Sequence, residues 1–246
     1  MGSELLDVNI GMKYSEMDVL RDVQFRVHEN EFLVIVGPTG CGKTTIGNIL
    51  SGLTKPTTGH VKIHGEIVSP FVHNISYVFQ EPSCIPWYTL IDDVMMGLVI
   101  KGVDKKQALE RAHEVIKLVD LEGFEDYYPR QISGGMKQRV AIARAYATDP
   151  DLLIMDEPFG HLDAQTRYLM QIEVMRIWEQ EKKTVVFITN NIEEAVYLAT
   201  RIIVLSKLPA TIKGEYNIGL PRPRDLIDPE FLSIRAEITK QCEVVE

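Results

Sequence analysis

Apolar positions along the chain change period several times, and each change marks an element. Glu4–Tyr14 alternates loosely between apolar and polar residues, as a half-buried strand does, and Asp22–Val27 reads the same way. Glu31–Val36 (Glu-Phe-Leu-Val-Ile-Val) is a short continuous apolar run, the pattern of a strand buried on both faces. Thr45–Leu53 follows with Ile46, Ile49, Leu50 and Leu53 at helical spacing. Gly59–Val68 places Val61, Ile63, Ile67 and Val68 around His64-Gly65 and predicts a hairpin. Ser76–Gln80 predicts one more short strand.

From Glu81 the period becomes helical. Pro82, Pro86 and Trp87 mark a loop, and Thr89–Ile100 reads as a helix started by Thr89 with Asp92 three residues on and ended by Gly102. Asp104–Val119 predicts a second helix with Ala108, Ala112, Val115, Ile116 and Val119 on one face. Ser133 is the expected N-cap of a third, Gly135–Ala147. Apolar strand patterns then return. Leu152–Met155 ends in Asp156-Glu157-Pro158, Asp163–Gln180 reads as a long helix, and Thr184–Thr189, Asn191–Ala199 and Arg201–Leu205 read as strand, helix and strand. Beyond Ser206, prolines and glycines predict a ragged tail closed by one helix, Pro229–Cys242. Strands alternating with helices predict an α/β fold on a parallel sheet, with a small antiparallel subdomain before it and a helical insertion at about residues 81–148. The expected boundaries are one domain over 1–205 and a tail over 206–246.

Bulk properties narrow this little. The 246 residues suffice for one large or two small domains, and 45% hydrophobic with 25% charged residues is ordinary for a globular protein. No apolar run approaches the roughly 18 residues needed to span a bilayer, and Met-Gly-Ser-Glu-Leu-Leu-Asp lacks the basic-then-apolar order of a signal peptide. Cys41, Cys84 and Cys242 form no CxxC pair, which predicts a reducing cytoplasm rather than a disulfide framework. The net charge of −9 disfavours nucleic acid as a direct partner.

The chemistry concentrates in three stretches. Gly37-Pro38-Thr39-Gly40-Cys41-Gly42-Lys43-Thr44-Thr45 fits G-x-x-x-x-G-K-[ST] and lies between a predicted buried strand and a helix. Glycines let successive N–H groups face an anion, the helix start adds its dipole, Lys43 reaches β- and γ-phosphates, and the Thr44 hydroxyl suits Mg²⁺. Asp156-Glu157 ends an apolar strand, where open α/β sheets place ligand-binding groups. Asp156 can hold Mg²⁺ and Glu157 can orient or deprotonate a water, although an Asp-Glu pair alone also reads as a solvated turn. Ser133-Gly134-Gly135 at a helix start offers a hydroxyl and N–H groups to an anion, and alone reads equally as a turn with an N-cap serine.

Taken together, the phosphate loop, Gln80, Ser133–Arg139, Leu152–Pro158 and Gly160–Asp163, in this order, resemble the ATP-binding subunits of ABC transporters over residues 4–205. A closer resemblance, to importer ATPases for nitrate, sulfonates, taurine and similar small anions, rests on Ile85-Pro86-Trp87, Tyr128-Pro129-Arg130-Gln131, Ser133-Gly134-Gly135-Met136, Asp156–Gly160, Ala164–Arg167 and Pro221-Arg222-Pro223-Arg224. The resemblance implies a phosphate-loop (RecA-like) core with an antiparallel subdomain and a helical subdomain carrying the Ser133–Met136 signature. It implies ATP and Mg²⁺ as cofactors. Tyr14 would stack on adenine, with a core-packed tyrosine as the alternative. Gln80, with Thr44 and Asp156, would lie near the metal, and Glu157 near the attacking water. Ser133, Gly134 and Gly135 would meet the γ-phosphate of ATP bound to the opposite subunit, and Asp163 would belong to the loop between the two sites.

The same resemblance implies a homodimer, or a heterodimer with another ABC ATPase. It implies permease subunits as partners, a solute-binding protein indirectly, and a place on the inner face of the cell membrane. Two positions depart from the pattern. His161 stands where the family has a small residue, and Thr189-Asn190-Asn191 stands where it has Thr-His-Asp. Asn190 therefore raises the alternative of a weakly hydrolysing or regulatory subunit; a soluble ABC-type ATPase acting on nucleic acid or ribosomes is the other. Trp87 fits either a docking surface for a membrane helix or a buried aromatic.

Overall fold

The computed structural model describes residues 2–243. In chain order the elements are β1 (Glu4–Tyr14), β2 (Met17–His28), β3 (Phe32–Val36), α1 (Lys43–Leu50), β4 (Thr58–Ile63), β5 (Glu66–Ile67), β6 (Ile75–Val78), α2 (Leu90–Ile100), α3 (Lys105–Leu118) and α4 (Gly134–Ala147). Then come β7 (Leu152–Asp156), α5 (Ala164–Glu181), β8 (Thr184–Thr189), α6 (Ile192–Leu198), β9 (Arg201–Leu205), β10 (Ile212–Asn217) and α7 (Pro229–Glu243). They form two compact units. One runs to His73 and resumes at Lys183; the other is Asn74–Lys182.

In the first unit β2, β1, β4 and β5 make an antiparallel sheet in that order. A second layer of strands runs β10-β9-β3-β8, with β3 parallel to both β8 and β9. Every residue of β3 and β8 is buried, which is why these strands read as continuous apolar runs rather than alternating ones. Ile46, Ile49 and Leu50 of α1 are fully buried, and α1 packs on β8. The helix stops at Leu50 because Gly52, at φ 75°, turns the chain; Leu53, expected on the helix face, lies beyond it and is exposed. Strand β2 starts at Met17, five residues before the expected Asp22. Asp18, Arg21 and Asp22 are exposed there, and Asp22 takes φ 48°, so polar residues and an irregular register hid the strand's first half.

The tail also differs from expectation. Besides the helix it holds β10, an antiparallel neighbour of β9. Lys213, Gly214 and Glu215 interrupt the apolar alternation, which an edge strand tolerates because one side of its backbone faces solvent.

In the second unit α2, α3 and α4 pack on one another, and α4 packs on β6, which lies parallel to β7. The predicted face of α3 (Ala108, Ala112, Val115, Ile116), with Val119 beyond its end, is buried. Thr89, Asp104, Ser133 and Asp163 cap α2, α3, α4 and α5, each side chain accepting a backbone N–H from the first turn. A buried ion pair ties two of these helices. Arg144 of α4 donates to Asp93 of α2 at 2.7 Å and to the carbonyl and hydroxyl of Ser83, while Asp93 accepts the Ile85 N–H at 3.0 Å. Asp93→Ala leaves the half-buried Arg144 guanidinium without its carboxylate and orphans the Ile85 N–H. It is expected to cost about 3–5 kcal/mol, read as a lower midpoint in urea unfolding at unchanged slope. A loss under about 1 kcal/mol would show that solvent reaches this pair. No helix among the described residues is long and apolar enough to cross a membrane.

Candidate nucleotide site

The first unit carries the phosphate loop. Strand β3 ends at Val36, and Gly37–Gly42 loops back to start α1 at Lys43. Gly40 takes φ 78° and Gly42 φ 104°, left-handed conformations that let the loop wrap inward. A side chain at Gly42 would also meet Val19 Cγ1 at 2.9 Å. Gly42 offers α1 no side-chain cap, and the start of a helix favours an anion through its dipole and N–H groups. Lys43 is buried, and its Nζ donates to the carbonyls of Gly37 at 3.0 Å and Pro38 at 3.1 Å, which aims the ammonium into its own loop. Thr44 and Thr45 occupy the first turn beside it.

Two further residues of this unit join that picture. Val36 pairs with Thr189 in the parallel ladder, so Gly37 and Asn190 leave neighbouring strands at the same end. Asn190 is exposed, and the next residue caps α6, its side chain accepting the Glu194 N–H at 3.2 Å. Tyr14 closes the β1–β2 hairpin opposite Met17 and is 47% exposed, which removes the core-packed reading of its ring.

The second unit gathers the acidic residues. Val78 pairs with Met155, so Phe79-Gln80 and Asp156-Glu157 leave adjacent parallel strands together. Asp156 is buried and accepts a hydrogen bond from Tyr77 Oη at 3.2 Å. Burial, then the Asp156 charge, holds the Tyr77 phenol well above its usual range, so it stays a donor. Glu157 takes φ 44°, a conformation costing a non-glycine residue roughly 1–2 kcal/mol and concentrated at functional sites. Its carbonyl accepts the Gly160 N–H at 3.0 Å, closing a tight turn. A side chain at Gly160 would meet Gln80 Nε2 at 3.5 Å, which places Gln80 against this turn. Arg167 braces the turn by donating to the carbonyls of Phe159 and Leu162.

The signature lies at the start of α4, where Ser133 Oγ accepts the Met136 N–H at 3.2 Å and Ser133 and Gly134 are exposed. A side chain at Gly135 would meet Thr166 Cγ2 at 3.0 Å, and Thr166 donates to Asp163 at 2.7 Å. Signature and Asp163 are thus neighbours at two helix starts. The bonds from Thr166 hold the Asp163 carboxyl below the usual carboxylate range. Tyr77 and the Asp93–Arg144 pair escaped the sequence reading, because nothing local in the chain marks partners so far apart. Trp87 is 74% exposed, which excludes the buried-aromatic reading.

The profile of the ABC transporter family matches residues 20–160, more than half of the chain. The chain belongs to this family. An ABC transporter ATP-binding protein of Methanocaldococcus jannaschii is 48% identical over 91% of this chain and 84% of its own length. An aliphatic sulfonates import ATP-binding protein of Bacillus cereus is 39% identical over 92% and 89%. Among solved structures, a dimeric ATP-binding cassette in a post-hydrolysis state with ADP and Pi superposes with a TM-score of 0.74 at 32% identity, covering 89% of this chain and 99% of its own. A Clostridium perfringens cassette from an ABC transporter complex reaches a TM-score of 0.82 at 20% identity over 98% and 96%, a likeness of fold. This ABC chain is an ATP-binding transporter subunit and an ATPase.

Proposed function

We propose that the chain energises an importer for a small anion, working as a dimer with permease subunits on the inner face of the cell membrane. The nucleotide part of this reading is carried by the Gly37–Thr45 loop, with its two left-handed glycines and inward Lys43. The solute class rests on the import of aliphatic sulfonates named for the Bacillus relative. Exposed Trp87 and Ile100, both in the helical unit, suit a permease surface.

The roles divide between the units. Lys43 and the loop N–H groups hold the phosphates, and Tyr14 offers its exposed ring to adenine. Thr44, Gln80 and Asp156 each carry a hard oxygen donor of the kind that suits Mg²⁺. Among the described residues no cluster of three or more His, Cys, Asp and Glu could cage a metal alone, consistent with an ion held partly by phosphate oxygens. When bound, Mg²⁺ neutralises phosphate charge. Glu157 takes the proton of the attacking water, with Gln80 orienting that water. Ser133, Gly134, Gly135 and Met136 of one copy serve the ATP of the other, and Asp163 lies between the two sites. Hydrolysis is then positioning and charge stabilisation. A solute-binding protein would deliver the anion from outside.

Uptake of an aliphatic sulfonate supplied as sole sulfur source tests the solute class. Cells lacking this chain should lose it, and unchanged uptake rejects that class.

Asn190 sets the expected rate. Asparagine can hydrogen-bond the γ-phosphate but cannot carry a proton's charge near neutral pH. A histidine there could donate to the γ-phosphate and, if protonated, offset charge developing in the transition state, and losing a preorganised donor of that kind commonly costs on the order of 10²–10³ in rate. The chain is therefore expected to bind ATP normally and hydrolyse it slowly as a homodimer. Asn190→His should be faster by at least about tenfold, scaled down from that donor effect, at similar ATP affinity. Phosphate release measured side by side at saturating ATP and Mg²⁺ decides it. Equal rates would mean the site is built around the asparagine.

A further inference from the structure

The Pro221-Arg222-Pro223-Arg224 stretch lies in the tail and has no role in the site described above, yet it makes one of the densest polar contacts of the first unit. Arg224 is buried, and its guanidinium donates to the carbonyls of Val196 at 2.7 Å, Tyr197 at 3.0 Å and Ala199 at 2.8 Å. It also donates to Ile218 at 3.3 Å and Leu220 at 3.4 Å. Arg222 donates to the carbonyl of Leu198. A helix leaves its last four carbonyls without partners from its own backbone. Here the chain cannot continue the helix, because the Thr200 N–H is given to Phe32 in the neighbouring strand. The four carbonyls from Val196 to Ala199 are instead taken by two arginines, and cations at a helix C-terminus are favourable.

The capped helix is α6, seven residues long. Two turns are far below the roughly 12–15 residues at which a helix holds itself, so its direction is set from outside. The tail grips its other end too. Arg235 of α7 pairs with Glu193 in the first turn of α6 at 2.5 Å, and α7 packs on α6 with Phe231 and Ile238 fully buried. Between the buried end of β8 at Thr189 and the cap of α6 at Asn191 stands a single residue, Asn190. A tilt or slide of α6 must therefore move Asn190.

We infer that Arg222 and Arg224 are positioning residues for ATP hydrolysis: they clamp α6 and so hold Asn190 in place. This inference rests on the reading of Asn190 as a contact to the γ-phosphate. The tail is then a working part of the ATPase rather than an appendage.

The test is a set of full-length variants assayed for phosphate release across ATP concentrations with Mg²⁺: Asn190→Ala, Arg222→Ala, Arg224→Lys, and each arginine variant combined with Asn190→Ala. Arg224→Lys keeps the charge and loses the fork. Each arginine variant should lower kcat by about tenfold, below the roughly 100-fold that a 1 Å misplacement can cost. KM for ATP should stay within about twofold, since Lys43 and the loop are untouched. In the Asn190→Ala background the arginine changes should slow the enzyme no further, because residues acting through one another are not additive. Parental kcat in the arginine variants, or an equal fold loss in both backgrounds, overturns the inference while leaving Asn190 in its role. An Asn190→Ala variant at parental rate overturns the reading of Asn190 itself. If Arg224→Lys loses its cooperative melting transition, Arg222→Ala, at a half-buried residue, and Glu193→Ala, which frees the exposed end of α6, carry the same comparison.

Discussion

With glutamine in place of Glu157, the protein is expected to bind ATP and all but stop hydrolysing it. The amide keeps the shape of the carboxylate and loses its basicity, so the water loses its proton acceptor. Loss of a positioned general base commonly costs 10²–10⁴-fold, and a fall of about that size in phosphate release is expected. The substitution is also conservative for the backbone. Glu157 holds φ 44° in a turn closed by the Gly160 N–H, and neither feature depends on its side-chain charge. With turnover blocked, ATP-bound dimers should accumulate. Size-exclusion chromatography with ATP and Mg²⁺ should show a monomer-to-dimer shift that the parent lacks or shows only briefly. A variant hydrolysing at the parental rate would remove Glu157 from the mechanism.

Lys43→Ala acts one step earlier, on binding. The ammonium is held inside the loop by the Gly37 and Pro38 carbonyls, and on the proposed reading it meets the β- and γ-phosphates. Two hydrogen bonds to charged oxygens are worth about 1.5–3 kcal/mol each, so affinity should fall by roughly two to four orders of magnitude. Titration calorimetry with ATP and Mg²⁺ measures this directly. Thermal melting of the free variant shows separately whether the loop still folds without its central cation. Unchanged affinity would mean that the phosphates do not lie where the loop places them.

Much of the fold was legible because its signals are local. Strands β3 and β8 are buried on both faces and announce themselves as apolar runs. The caps Thr89, Ser133, Asp163 and Asn191 bond within three residues of themselves, so a short window of sequence holds both partners. Elements whose stability comes from a distant neighbour were harder to read. The first half of β2 is hidden by exposed polar residues, and β10 exists because β9 lies beside it. Leu53 matched the helical period but fell beyond a glycine that ends the helix.

The sequence by itself determined the nucleotide chemistry. The spacing of glycines, Lys43 and Thr44 between an apolar strand and a helix dictates an anion cradle. Asp156-Glu157 ends a second such strand with the carboxylates that the proposed reading uses, and Ser133-Gly134-Gly135 carries the family resemblance. Tertiary structure decided which residues support that chemistry. It set Tyr77 against Asp156, Arg167 across the Glu157 turn, and Arg144 on Asp93. It turned Trp87 outward and brought Arg222 and Arg224 onto the open end of α6. Motifs are local because backbone N–H groups must converge on one ligand within a few residues. A carbonyl or carboxylate left unpaired at the end of an element takes whatever donor the folded chain carries to it, and separation in sequence says nothing about which donor that is.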